Sequence, residues 1–356
     1  MNGYPVPMSE GRYHRQALVP SIGDAGQERI GNSSVLVVGC GALGCMSVDL
    51  LARAGVGHLR LVDRDVVELT NLQRQSLFDE DDVASRRPKA IAARNRLEAV
   101  NSSIRIEAVV DDVDASNIEH LADGCDLIMD GLDNFEARYL LNDLSIATDR
   151  PWIYGGAVGT TGMTAVIVPG RTPCLRCLFP EPPAAGTTPT CDTAGVLGPV
   201  VSMVAARQAI QALKILAGQD EALDPALLSF DAWSNTTREM RPGTPSPECP
   251  CCGQRDFEWL EGRRGQGASI LCGRNAVQVK PDDGSTLLPL EELARRLSTH
   301  GTFRCNDSVV HGTLDHEVNE DGERIELTIF QNGRALVKGS GSTEHARAVY
   351  AKYIGT

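Results

Sequence analysis

Two cysteine pairs with metal-ligand spacing, Cys174-Leu-Arg-Cys177 and Cys249-Pro-Cys-Cys252, share this chain with a glycine-rich stretch, Gly39-Cys-Gly41-Ala-Leu-Gly44. Four thiolates in two Cys-x-x-Cys pairs suit tetrahedral Zn²⁺ in a structural site. Cys251 lies inside the second pair and could replace Cys252 as a ligand, although the two-residue spacer favours Cys249 with Cys252. Gly39, Gly41 and Gly44 fit G-x-G-x-x-G, whose glycines allow a tight turn and close approach of a phosphate to a helix N-terminus. Asp63, at the end of the next apolar run, stands where a carboxylate takes a ribose hydroxyl pair. By themselves these features leave the nucleotide open among NAD, FAD, ATP and S-adenosylmethionine. Arg74, Lys89 and Asp133 tilt the choice, because a triphosphate needs cations on its outer phosphates and a carboxylate for Mg²⁺, and a dinucleotide oxidoreductase does not.

The elements that must carry these residues are legible from periodicity. Val35–Val38 is a β-branched run that leads through the glycines into a helical pattern over Ala42–Ala54, and a second strand runs Leu59–Val62. Helix Arg87–Val100, strand Ile104–Val109, strand Leu127–Met129 and helix Phe135–Thr148 follow. This alternation predicts an α/β fold with a Rossmann-like, doubly wound, mostly parallel sheet. Trp152–Val168 reads as further strands, and a helix is expected from Gly195 through Leu216, closed by Gly218. The Pro-, Gly- and Thr-rich stretch between Phe179 and Gly198 reads as a long irregular loop, a candidate lid or crossover. A Gly/Arg-rich break at 261–267 separates residues 1–262 from a small α+β domain over 268–356, which reads as strand, helix, strand (Thr302–Val310), hairpin at Asn332-Gly333, and helix (Thr343–Tyr353).

Composition bounds the rest. A net charge of −13 over 356 residues disfavours non-specific nucleic-acid binding. The sequence shows neither an apolar run of transmembrane length nor a basic-then-apolar leader, so a cytoplasmic protein is expected. Eleven cysteines in such a chain point to metal ligands and reactive thiols rather than to disulfides. The seven histidines form no metal-spaced cluster, and Cys40, Cys45 and Cys125 fall in apolar segments as small core residues.

Taken in order, Arg12-Tyr-His-Arg15-Gln16, the glycine loop, Asn71-Leu-Gln-Arg74-Gln75, Asp133-Asn-Phe, the cysteine pairs and Ala194-Gly-Val-Leu-Gly198 resemble the MoeB/ThiF/HesA family of adenylyltransferases that activate ubiquitin-like sulfur carriers. The resemblance covers about residues 9–262 and is not extended to 268–356. It implies ATP-dependent adenylation of the C-terminal glycine of a small sulfur-carrier protein ending in Gly-Gly, with Mg²⁺ and release of pyrophosphate. It further implies that Asp63 holds the ribose, Arg74 and Lys89 the triphosphate, Asp133 the Mg²⁺, and that Asn71 orders the site. Arg15 would reach the ATP of the other subunit of a homodimer. Cys191, in the irregular loop, stands where many relatives carry a thiol used for a covalent link to the carrier, and a sulfurtransferase or desulfurase is a further possible partner. The tail lacks the anion-binding loop of a rhodanese around Cys305, so a structural or docking role is expected for it. The competing readings are an NAD-dependent oxidoreductase, which would bind NAD and release no pyrophosphate, and a degenerate scaffold, which would fail ATP–pyrophosphate exchange.

Overall fold

The computed structural model describes residues 11–183, 191–264, 270–271, 276–279, 289–319, 322–340 and 342–355. By its contacts the chain divides into two units, residues 1–80 with 89–265, and residues 81–88 with 266–356.

The first unit opens with α1 (His14–Ala17) and α2 (Gly23–Asn32), then β1 (Ser34–Val38), α3 (Ala42–Ala54) and β2 (His58–Val62). A 3₁₀ turn at Leu69–Asn71 precedes α4 (Glu80–Ala84), which runs across the boundary between the units, and α5 (Lys89–Val100) follows. Next come β3 (Arg105–Val109), α6 (Ile118–Ala122), β4 (Leu127–Asp130), α7 (Phe135–Ala147), β5 (Trp152–Val158) and β6 (Thr161–Ile167). The unit continues through α8 (Leu175–Leu178), α9 (Cys191–Ala194), α10 (Gly198–Leu216), β7 (Leu227–Asp231) and β8 (Thr236–Met240). The eight strands form one sheet in the order β3-β2-β1-β4-β5-β6-β7-β8. The first five are parallel and the last three antiparallel. Parallel strands must be buried on both faces, and β1 is buried at all five positions. The order reverses between β1 and β4, which is the switch point where open α/β sheets bind ligands beyond the carboxyl ends of their strands.

Helix α10 begins at Gly198 rather than at Gly195. Gly195 has φ +70°, and its carbonyl accepts from Gly159 N (2.8 Å) at the β5–β6 turn, so the chain is still docking there before it coils. Among the described residues, no helix is long and apolar enough to cross a membrane.

The second unit is an antiparallel six-stranded sheet, β9 (Ile270–Leu271), β10 (Ala276–Val279), β11 (Gly301–Cys305), β12 (Val309–Val318), β13 (Arg324–Phe330) and β14 (Ala335–Lys338), in the order β11-β12-β13-β14-β10-β9. Its helices α11 (Leu290–Leu297) and α12 (Thr343–Tyr353) share one apolar core with it, including Leu293, Leu297, Val310, Leu327, Val337, Val349 and Tyr350. The single strand expected over Thr302–Val310 is a hairpin instead. Asn306 Oδ1 accepts from Ser308 N (2.8 Å) and Val309 N (2.9 Å), a side-chain turn that breaks the apolar run.

Candidate functional site

At the carboxyl end of β1 the glycine loop closes against the carboxyl end of β4. Gly39 has φ +91°, and a Cβ there would lie 2.7 Å from Gly131 O. A Cβ on Gly44 or on Gly131 would run into Gly39 O. These three glycines are therefore demanded by backbone meeting backbone. Gly41 differs: it caps α3, and its Cβ would make only ordinary contact, 3.5 Å from Gly131 O. The first amides of α3 are unpaired by the helix itself, which makes this terminus an anion site.

Asp63, just past β2, ties the loop down. Its Oδ2 accepts from Cys40 N and its Oδ1 from Asp65 N, each at 2.7 Å. Burial raises its pKa, opposed by the charge of Lys89. Lys89 opens α5 with its side chain only 3% exposed and donates from Nζ to Asp65 Oδ2 (3.2 Å). Asn71 is buried, and its Oδ1 accepts from Glu68 N (3.0 Å) while its carbonyl accepts from Arg74 N and Gln75 N. That turn presents the half-buried Arg74, which donates to Thr70 O (2.9 Å). Asp133 is exposed beyond β4. The structure thus gathers the glycine loop, Asp63, Lys89 and Asp133 at one end of the parallel strands.

Arg15 is not among them. It is exposed on α1, which is fixed at the far end of α3: Gln16 donates to Ala54 O (2.9 Å), and Gly55 leaves room for the Tyr13 ring where a Cβ would collide. Thirteen residues of α3 separate that anchor from the glycine loop, about 20 Å at 1.5 Å per residue. Cys191 opens α9, whose chain continues into Val196, bridged to Gly159 at the carboxyl end of β5. The Cys191 side chain and residues 184–190 of the expected lid lie outside the described residues.

Several positioning groups escaped the sequence reading. Asp130 ends β4 inside the protein, its charge matched by Arg138 of α7 at 2.9 Å. Arg138 also donates to Leu132 O and Gly155 O, both at 2.7 Å, and Leu132 N donates to Asp130 (2.8 Å). The loop that carries Gly131 and Asp133 is thereby fixed by a buried ion pair. Gln208 of α10 donates to Asp130 O (2.9 Å) and Ile153 O (3.2 Å), joining the helix to two strands at the site.

The four expected cysteines converge. Their sulfurs all lie within 4.8 Å of one another. The separations are 3.9 Å for Cys174–Cys177, 3.6 Å for Cys174–Cys249 and 3.4 Å for Cys177–Cys252. A tetrahedron of sulfurs at about 2.3 Å from zinc has edges of about 3.8 Å, so the cluster already has the dimensions of such a site. Contact with the Cys174 sulfur and burial push the Cys177 thiol up to about 12, and burial with the Cys177 contact does the same to Cys252. A bound cation is what would convert such crowded thiols to thiolates. Cys251 is not one of the four, and its Sγ accepts from Asn142 Nδ2 (3.2 Å). Asn142 Oδ1 accepts from Leu175 N (2.7 Å), so one buried amide on α7 holds both cysteine segments.

Residues 13–251 match the ThiF family. The sulfur carrier protein ThiS adenylyltransferase of Bacillus subtilis is 40% identical over 347 residues, 97% of this chain and 99% of that protein. The likeness therefore reaches into the tail, which corrects the limit set near residue 262 from the sequence. The SAMP-activating enzyme E1 of Haloferax volcanii is 42% identical over 250 residues, 70% of this chain and 91% of that one. Among solved structures, Escherichia coli MccB with AMPCPP and MccA superposes with a TM-score of 0.60 at 25% identity, covering 68% of this chain and 75% of that one. On the matched span and the full-length relative together, the chain belongs to the ThiF family.

Proposed function

We propose that this protein uses ATP and Mg²⁺ to adenylate the C-terminal glycine of a small ubiquitin-like sulfur carrier ending in Gly-Gly. The observation that carries the reading is the grouping, at the carboxyl ends of β1, β2 and β4, of a glycine-lined helix terminus with Lys89, Asp63 and Asp133. The near full-length relation to a ThiS adenylyltransferase supports the choice of substrate class.

In this reading a carboxylate oxygen of the carrier attacks the α-phosphorus, and the bond to the bridging α–β oxygen breaks. Pyrophosphate leaves with the electron pair, and the acyl adenylate remains. A carboxylate is nucleophilic at neutral pH, so the protein supplies positioning and charge rather than a general base. Gly41 leaves room for the phosphates against the amides of α3, Asp63 takes the ribose, and Lys89 with Arg74 neutralises the outer phosphates. Asn71 keeps the Arg74 turn in place. Asp130 is already engaged by Arg138, Leu132 N and Gly155 N, which leaves the exposed Asp133 as the carboxylate for Mg²⁺. Cys174, Cys177, Cys249 and Cys252 would hold a structural zinc. A Cys191 thiolate would attack the adenylate carbonyl to form a thioester and expel AMP, a step downstream of adenylation.

The distance of Arg15 from its own glycine loop favours a homodimer in which Arg15 serves the partner's ATP. Met203 and Ile210 of α10, Leu50 of α3, and Leu18 and Val19 after α1 are exposed apolar residues that a second copy would cover. Residues 1–262 would form the adenylation domain, and the use of ATP with free thiols suits the cytoplasm. Carrier-dependent ATP–pyrophosphate exchange tests the function. The dimer is tested by mixing Arg15→Ala with Arg74→Ala protein, each inactive alone. Mixed dimers should regain activity through one intact site, and no regain would place the site in one subunit.

A further inference from the structure

Cys174 and Cys249 are 75 residues apart in the chain, yet their sulfurs lie 3.6 Å apart, so the two halves of the cysteine cluster need a third element to bring them together. One buried face of α7 supplies it. Tyr139 and Asn142 lie three residues apart on that face, and each touches both halves. Asn142 Oδ1 accepts from Leu175 N (2.7 Å) in the first half, and its Nδ2 donates to Cys251 Sγ (3.2 Å) in the second. Tyr139 Oη donates to Phe179 O (2.7 Å) in the first, and its ring centroid lies 5.4 Å from that of Trp259 in the second. Asp143 grips the second half alone, its Oδ2 accepting from Trp259 N (2.9 Å).

Asn142 is fully buried, so losing either of its bonds would leave a polar group unpaired away from water. Leu175 N opens the short α8 and finds no acceptor within that helix, which makes Asn142 Oδ1 its replacement. The other end of the amide acts on ligand choice. Cys251 is as buried as Asn142 and is the chain neighbour of Cys252, a member of the cluster. A fifth thiol beside four is a competitor for the same thiophilic cation. The bond from Asn142 occupies the Cys251 sulfur on the side of α7.

We propose that α7 is the template of the metal site and Asn142 its positioning residue: the amide seats both cysteine segments and withholds Cys251, so that Cys252 serves as the fourth ligand. The inference rests on the reading of the four cysteines as zinc ligands, and it names the residue that chooses them.

The test uses full-length, zinc-loaded protein and follows release of zinc to excess 4-(2-pyridylazo)resorcinol. Asn142→Ala loses both bonds and should release zinc about 30-fold faster, within the range found for groups that hold metal ligands from behind. Tyr139→Phe loses the bond to Phe179 O but keeps the ring. It should release zinc about five-fold faster, the weight of one hydrogen bond, and it covers the case in which Asn142→Ala fails to fold. Cys251→Ala should keep about one zinc per chain and, with Co²⁺ in place of zinc, the charge-transfer absorption of a four-thiolate site. Cys251→Ala added to Asn142→Ala should slow release again, a rescue that a mere packing role for Asn142 would not produce. Folded Asn142→Ala and Tyr139→Phe proteins with the wild-type release rate, a three-thiolate spectrum in Cys251→Ala, or a double variant as fast as Asn142→Ala would each overturn the proposal. The zinc reading fails separately, if the wild-type protein takes up neither zinc nor Co²⁺ through its cysteines.

Discussion

The glycine loop and the cysteine cluster solve opposite problems in the same unit. At the loop, Gly39, Gly44 and Gly131 let two stretches of backbone meet, and Asp63 and the Asp130–Arg138 pair fasten them from behind. That geometry is complete within the protein. At the cluster, four thiols lie within 4.8 Å of one another, and burial and mutual contact raise the pKa values of Cys174, Cys177 and Cys252. That geometry is favourable only around a cation. One site is prepared by folding, and the other takes part in it.

The largest effect expected on stability is therefore loss of the metal. Cys249→Ser, or a strong chelator, should remove roughly one zinc per chain and destabilise the protein on the order of 10 kcal/mol, comparable to a whole domain's stability. A zinc-free protein with an unchanged melting transition would sink the assignment. Next, Arg138→Ala leaves Asp130 charged and buried, at a cost of about 3–5 kcal/mol by denaturant unfolding. Gly44→Ala should follow at about 3 kcal/mol, because its Cβ meets the Gly39 carbonyl, although alanine in a helix is otherwise favourable by about 1 kcal/mol. A stabilised Gly44→Ala would show that the loop is not closed by backbone contact.

Gly41→Ala and Asp133→Ala sharpen the contrast from the other side. Both should unfold within about 0.5 kcal/mol of wild type yet lose about 100-fold in exchange, since neither is needed by the fold. The smallest effect concerns His58, which contacts Ser34 Oγ (2.9 Å) and Glu107 Oε2 (3.3 Å) at the opposite end of the sheet. Burial, then Arg105 and Arg60, outweigh Glu107 and hold its pKa below the ordinary 6.5. The unfolded chain thus takes up a proton first, so this residue's contribution to stability is lost as pH falls below about 6.5. His58→Gln should flatten that part of the melting-temperature profile.

Much of this was legible because periodicity and composition are local. The α3 and α12 spans match their apolar patterns, and the glycines and cysteine pairs announce themselves by spacing. What stayed hidden depends on partners distant in sequence. Arg138, set between Phe135 and the apolar run Tyr139-Leu140-Leu141 of α7, was a signal of a buried carboxylate, but its partner could be chosen only once β4 placed Asp130 beside it. The β7–β8 hairpin was missed because β8 is exposed at all five positions and has no apolar alternation to show. Periodicity yields no reading for residues 81–86 and starts the next helix at Arg87 rather than Lys89, since nothing in Ser85 or Arg86 names Asn306 or Glu326 as a partner.

The close approach of Gly39 and Gly131 also bears on how descendants of such a protein would be recognised. A lineage that abandoned ATP would still need Gly39, Gly44 and Gly131 in order to fold, so their persistence is no sign of retained chemistry. Gly41 carries no such obligation. Selection would release it first, and its replacement by a bulkier residue is the mark by which a silent copy should betray itself.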